Sequence, residues 1–211
     1  MPPVTPPDVP YWIQQRIKRY GEDPIRYEAK LYGPLDKLLN RVFPDDQFMV
    51  KPQSVIRPNA TRKPEEGDDW GDQYSIDSYD KPVLPASERK RKEPDFVVVK
   101  ASDDPEEISD VVVACLEVKK HNLELNKKKD EVLRNIWQLR EYISILSGKQ
   151  CHNAFRGVLV SGKNFYGFNL QETRLPSPGG LGLNTAEGLH NFLGAISNKV
   201  RKSPEDIRNI E

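Results

Sequence analysis

Residues 94–119 read PDFVVVKASDDPEEISDVVVACLEVK. Two β-branched runs, 95–99 and 110–119, flank an acidic, turn-rich linker at 102–109. Branched side chains pack well on a pleated surface, so both runs are predicted strands. The linker is short enough for the two strands to pair antiparallel as neighbours. Side chains alternate across a strand, so Glu117 and Lys119 share a face, which the sequence carries back through Cys115, Val113 and Val111 into an apolar layer. Pro94 precedes Asp95, and proline is tolerated at the first position of a strand. With the strands as neighbours, Asp95 approaches Glu117 at one end of the sheet. Two nearby carboxylates repel, and a divalent cation between them keeps both ionised. Hard oxygen donors suit Mg²⁺ or Mn²⁺ rather than zinc. A lysine beside them can position or activate water, or neutralise charge developing on a phosphate.

Downstream, 126–147 is a predicted helix with Val132, Ile136, Leu139, Ile143 and Leu146 on one face and Gly148 as its stop. Residues 155–160 and 165–170 form a strand pair turning at Gly162-Lys163-Asn164. A loop at 176–182 leads to a final amphipathic helix, 185–200, using Leu189, Phe192, Leu193, Ile196 and Val200. Upstream, 56–91 is rich in Pro, Asp, Glu, Lys and Ser, which makes it a long polar loop with a candidate hairpin through 74–79. Residues 47–50 are a predicted strand. Residues 24–42 are a predicted helix with Leu31, Leu35, Leu38, Leu39 and Val42 at helical spacing, kinked or broken at Pro34. A short helix at 11–20, with Trp12, Ile13 and Ile17 as its stripe, follows an arm of ten residues holding five prolines. This order implies an α/β fold, a mixed β-sheet flanked by helices. One domain covers 24–200, with an arm and helix at 1–23, a polar insertion at 57–92 and a tail at 201–211.

Composition narrows the function. The 211 residues are 36% hydrophobic and 30% charged, which suits one compact domain with sizeable polar loops. No apolar run approaches the roughly 18 residues that span a bilayer, and the opening MPPVTPP has no apolar signal segment. The expectation is an intracellular protein with no membrane partner, cytoplasmic or nuclear, with Arg89–Lys92 as a candidate import patch. Cys115 and Cys151 are too few for a disulfide framework, a four-cysteine zinc site or an iron–sulfur cluster. His121, His152 and His190 are scattered and form no His-Glu-x-x-His motif. Ser147-Gly148-Lys149 has Ile143 where a phosphate loop needs glycine. Cys151-His152, adjacent in a loop, is a poor nucleophile–base pair. With 32 basic and 32 acidic residues, bulk charge does not argue for nucleic acid, so a site must.

Pro94-Asp95 followed by Glu117-Val118-Lys119 resembles the PD-(D/E)xK nuclease superfamily. Gln138-Leu139-Arg140-Glu141-Tyr142, on the next helix, resembles the Gln-x-x-x-Tyr motif of its RecB-like branch. The resemblance runs from about residue 25 to 170 and implies a restriction-endonuclease-like core. It implies that Asp95, Glu117 and the Val118 carbonyl hold Mg²⁺ or Mn²⁺, and that Lys119 positions or activates the attacking water. An acidic residue on the first core helix, Glu28 or alternatively Asp36, would contact the metal directly or through water. Gln138 and Tyr142, four apart on one helical face, would reach the site or the nucleic-acid backbone. Lys120, Lys127, Lys128 and Arg134 would hold phosphates. The implied reaction is phosphodiester hydrolysis in nucleic acid, with DNA favoured over RNA. Some RecB-like relatives carry four cysteines for an iron–sulfur cluster, which two cannot build. The polar insertion departs from the compact family core. Two rival readings are a catalytically inactive nuclease-like fold that binds nucleic acid or protein, and a helix-rich interaction domain docking through its proline arm.

Overall fold

The computed structural model describes residues 9–22, 29–44, 46–53, 75–76, 82–83, 93–101, 110–119, 128–146, 151–161, 164–169 and 186–208. In chain order these form α1 (Tyr11–Glu22), α2 (Ala29–Val42), β1 (Phe48–Pro52), β2 (Ser75–Ile76), β3 (Pro82–Val83), β4 (Phe96–Lys100) and β5 (Val111–Lys119). There follow α3 (Lys128–Leu146), β6 (Cys151–Ser161), β7 (Asn164–Phe168), α4 (Ala186–Lys202) and β8 (Ile207–Arg208). The architecture is α/β, with a mixed sheet in the order β1-β4-β5-β6-β7.

β4 and β5 pair antiparallel, with Phe96 opposite Leu116 and Lys100 opposite Val111. β1 adds antiparallel to β4 at the edge and ends on Pro52, where a missing N–H donor costs no ladder bond on the open side. β5 and β6 are parallel, and parallel neighbours need a crossover, which α3 provides. β7 folds back on β6 with Ser161 opposite Asn164. The two-residue β8 continues the chain after α4 and pairs with Cys151 and His152 at the start of β6.

Each face of the sheet buries its own apolar layer. Toward α1, α2 and α4 lie Phe96, Val98, Leu116, Val118, Val158 and Val160, packed with Leu35, Leu38, Leu39 and Leu193. Toward α3 lie Val97, Val99, Val112, Cys115 and Leu159, packed with Ile136, Leu139, Ile143 and Leu146. Strands covered on both faces read as continuous apolar runs, as β4 and β5 do. Gly157 on β6 lets α3 approach closely. A Cβ there would overlap Ile143 Cδ1 and sit 3.0 Å from Ile143 Cγ1 and 3.5 Å from Leu139 Cδ2. Gly157→Val should therefore destabilise the protein by about 1–3 kcal/mol, read as a lowered urea midpoint.

Several elements depart from the sequence expectation. The helix at 24–42 is described only from Ala29, and it runs unbroken through Pro34. Pro34 lies in its second turn, where the only carbonyl deprived of an N–H partner is that of Lys30. The hairpin expected through 74–79 takes its second strand from Pro82–Val83, beyond Tyr79. β6 begins at Cys151, four residues before the expected strand, so Cys151 and His152 lie in a strand rather than a loop. Trp12 is off the buried stripe of α1, which consists of Ile13 and Tyr20 with Ile17 partly covered. No helix among the described residues is long and apolar enough to cross a membrane.

Register slips by one residue within β5. Val98 pairs with Ala114 but Val99 pairs with Val112, which leaves Val113 as a bulge. A bulge reverses the parity of every residue beyond it. Val113 consequently faces α1, α2 and α4, while Val112 and Cys115 face α3. The expected face of Val111, Val113, Cys115 and Glu117 is thus corrected to Val112, Cys115 and Glu117.

Candidate active site

Asp95 and Glu117 sit one step beyond the Phe96–Leu116 pair, at the same rim of the sheet. Both carboxylates are buried, at 9% and 2% exposure. Asp95 is held from three directions. Its Oδ2 accepts from the Val118 amide at 2.6 Å, its Oδ1 accepts from the Tyr32 hydroxyl on α2, and its backbone carbonyl accepts from the Gln53 amide at 2.8 Å. Gln53 reaches this position at φ 46°, in the left-handed region that non-glycine residues seldom occupy. The end of β1 therefore turns onto the backbone of Asp95.

Glu117 points toward α3. Its Oε1 accepts from Gln138 Nε2 at 2.7 Å and lies 2.5 Å from Lys119 Nζ. Gln138 Nε2 also donates to the Tyr142 hydroxyl at 2.6 Å, so one amide group joins the helix pair to the strand carboxylate. Residues four apart on α3 share a face, which is why both reach the same strand end. Burial pushes Glu117 up to about 7, Lys119 opposes the rise, and the neighbouring charge of Asp95 adds to it. Burial also lifts Tyr142 to about 12, so its hydroxyl keeps its proton. The Cys115 thiol, on the same face of β5, is pushed well up, first by burial and then by Glu117 and Asp95.

One atom of this site is unsatisfied. Among the described residues, Glu117 Oε2 is buried and makes no full hydrogen bond, although the Asp95 backbone N–H also favours the ionised Glu117 carboxylate. A buried carboxylate oxygen left bare costs on the order of 1–3 kcal/mol or more, so it marks a position suited to a cation. Together with the Asp95 carboxylate and the Val118 carbonyl it makes a set of hard oxygen donors, which fits Mg²⁺ or Mn²⁺ by chemistry. Among the described residues no three or more His, Cys, Asp or Glu side chains cluster as a metal site.

The other expected residues divide as follows. Glu28, Lys120 and Lys127 lie outside the described residues, and Lys128 is described only as the first residue of α3. Asp36 does not join Asp95 and Glu117. It lies on an exposed part of α2, where Asn40 Nδ2 donates to its backbone carbonyl at 2.8 Å and to Oδ1 at 3.2 Å. Arg134 is on the exposed side of α3. Tyr32, absent from the sequence expectation, is the residue that α2 brings to the site. Its signal was faint: a polar-tipped aromatic bordering the apolar stripe of Leu31, Leu35 and Leu38. Cys151 and His152 do not meet as a catalytic pair. Cys151 Sγ donates to the Leu146 carbonyl at 3.1 Å, whereas His152 Nδ1 accepts from the Ala154 amide at 2.9 Å and Nε2 donates to the Ser203 carbonyl at 2.7 Å. Both cysteines are free and buried.

Comparison with protein-family models, with curated proteins and with solved structures finds no match for this chain.

Proposed function

We propose that this protein is a metal-dependent nuclease that hydrolyses phosphodiester bonds of DNA, built on a restriction-endonuclease-like core of the PD-(D/E)xK type. The observation that carries the reading is the convergence of Asp95, Glu117 and Lys119 at one rim of the sheet, with a buried Glu117 oxygen unpartnered beside the lysine. A bare buried oxygen favours a bound cation over a purely structural ion pair, because most buried polar atoms are satisfied. Asp95, Glu117 and the Val118 carbonyl would hold Mg²⁺ or Mn²⁺. When bound, the cation supplies Lewis acidity toward phosphate oxygens and a more acidic water.

The chain's own groups do the rest. Lys119 Nζ lies 2.5 Å from Glu117 Oε1, on the accessible side of the pair, where it can orient the attacking water and offset charge building on the phosphate. Gln138, with both amide donors engaged by Glu117 and Tyr142, fixes the carboxylate so that its other oxygen stays available. The Tyr32 hydroxyl and Val118 amide fix Asp95 in the same way. Burial keeps competing water away from these contacts and strengthens them.

Tyr32→Phe should lower cleavage about 10–100-fold, the usual range for a residue orienting a metal ligand. Its cost in stability should be only about 1 kcal/mol. Cleavage kinetics and urea melts of the same preparation check both. The reading itself is tested by a digestion panel of linear, circular and single-stranded DNA and RNA with Mg²⁺ or Mn²⁺. Cleavage that a chelator abolishes supports it. A pure, folded protein that cuts none of these substrates contradicts it.

A further inference from the structure

α3 carries Gln138 into the site and, one residue earlier, turns a large aromatic out to solvent. Trp137 is 62% exposed, although tryptophan usually buries most of its surface. The Arg140 guanidinium lies 5.3 Å from its ring centroid, and Arg134 is exposed one turn before it. Arg134, Trp137 and Arg140 recur at three-residue spacing, so they form one ridge on the helix surface. Glu141 is the acidic neighbour at the far end of that ridge. A second exposed tryptophan, Trp12, also lies under an arginine, Arg16, at 5.5 Å. Trp12 belongs to α1, in the helical layer on the other face of the sheet from α3.

From this geometry we infer that Trp137 is a stacking platform for an unpaired base of single-stranded DNA, flanked by Arg134 and Arg140 as phosphate partners. The inference rests on the nuclease reading and adds to it a substrate form. An exposed indole offers a flat apolar face that every base can stack upon, and neighbouring arginines complement the phosphate charge. Bases paired within a duplex have no free face to give. Successive residues of a helix point about 100° apart, so the ridge lies on the outer side of α3, around the helix from Gln138, and a strand held there would reach the carboxylates by passing over the flank that carries Gln138 and Tyr142.

The test is fluorescence anisotropy with a labelled oligothymidylate of about twelve nucleotides, within the usual single-strand site size, in EDTA so that nothing is cut. Trp137→Ala should weaken binding about 5- to 100-fold, the range expected for losing one stacked base. Trp137→Phe should retain most of the affinity, Trp12→Ala should retain all of it, and a blunt duplex should bind Trp137→Ala and the parent alike. Unchanged single-strand affinity in Trp137→Ala, or an equal loss on the duplex, would overturn the platform. Tighter Trp137-dependent binding of oligouridylate would overturn the assignment to DNA. Running Mn²⁺-dependent cleavage of the same oligonucleotide in parallel separates the two readings. Cleavage with binding indifferent to Trp137 sinks the platform alone, and Trp137-dependent binding without cleavage sinks the catalytic reading alone.

Discussion

Lys119→Ala should reduce metal-dependent cleavage by about 10²–10³-fold, the loss expected when one preorganised group facing developing charge is removed. The fall should appear in kcat, because the lysine acts where charge grows rather than where substrate is first held. Its ammonium is 2.5 Å from Glu117 Oε1, with the side chain about one-fifth exposed, so it can face both the carboxylate and an incoming phosphate. Lys119→Arg should restore little, since a planar guanidinium places its donors differently from a compact ammonium. Thermal melting should remain close to that of the parent. Without Lys119, Glu117 takes up a proton instead of standing as a bare buried charge, and a neutral carboxyl is far cheaper to bury. Cleavage by Lys119→Ala within about threefold of the parent would remove Lys119 from the mechanism.

Glu117→Gln should abolish cleavage and, in metal-free buffer above neutrality, make the protein more stable. Glu117 is lifted from 4.5 to about 7 by burial, with Asp95 adding to the rise and Lys119 opposing it. A carboxyl whose folded value is raised binds its proton more tightly in the native state than in the unfolded chain. Its contribution is therefore fully present below about pH 4.5 and is lost as the pH rises through about 7. That shift corresponds to roughly 3 kcal/mol at pH 8. Glutamine has no such proton to lose, so urea midpoints measured in EDTA at pH 5 and pH 8 should diverge. The parent should fall between the two values and the variant should lose much less. Parallel behaviour of the two proteins would mean that Glu117 is ionised without strain in the folded state. A site residue that lowers stability is an ordinary consequence of holding charge ready for another partner.

The centre of this site was legible because its elements announce themselves. β4 and β5 are β-branched runs bounded by turn residues, and the apolar face of α3 keeps helical spacing from Ile136 to Leu146. Their antiparallel pairing and the position of Asp95 next to Glu117 follow from the short linker. The bulge at Val113 was not legible for the same reason that the strand was. Both faces of β5 are buried, so valine follows valine and no polar residue reports which side is which. The start of β6 was hidden by Cys151-His152-Asn153, where a buried histidine reads as polar although its two ring nitrogens are satisfied within the fold. β8 is too short to carry a periodic signal; it is set by the Asn153 and Asp206 contacts that dock the chain after α4. Tyr32 was missed because its role depends on a partner 63 residues away, which helical periodicity cannot reveal. Gln138 and Tyr142 were found through resemblance, and their link to Glu117 depends on the crossover that brings α3 over β5.

The central claim is that two acids on neighbouring strands share a divalent cation. Crystals soaked in Mn²⁺ and measured for anomalous scattering test it most directly. The expected result is one strong peak between the carboxylates of Asp95 and Glu117, with the Val118 carbonyl beside it and Glu117 Oε2 among its ligands. Carboxylates that keep only their Tyr32, Val118, Gln138 and Lys119 contacts, with the manganese signal elsewhere or nowhere, would contradict it.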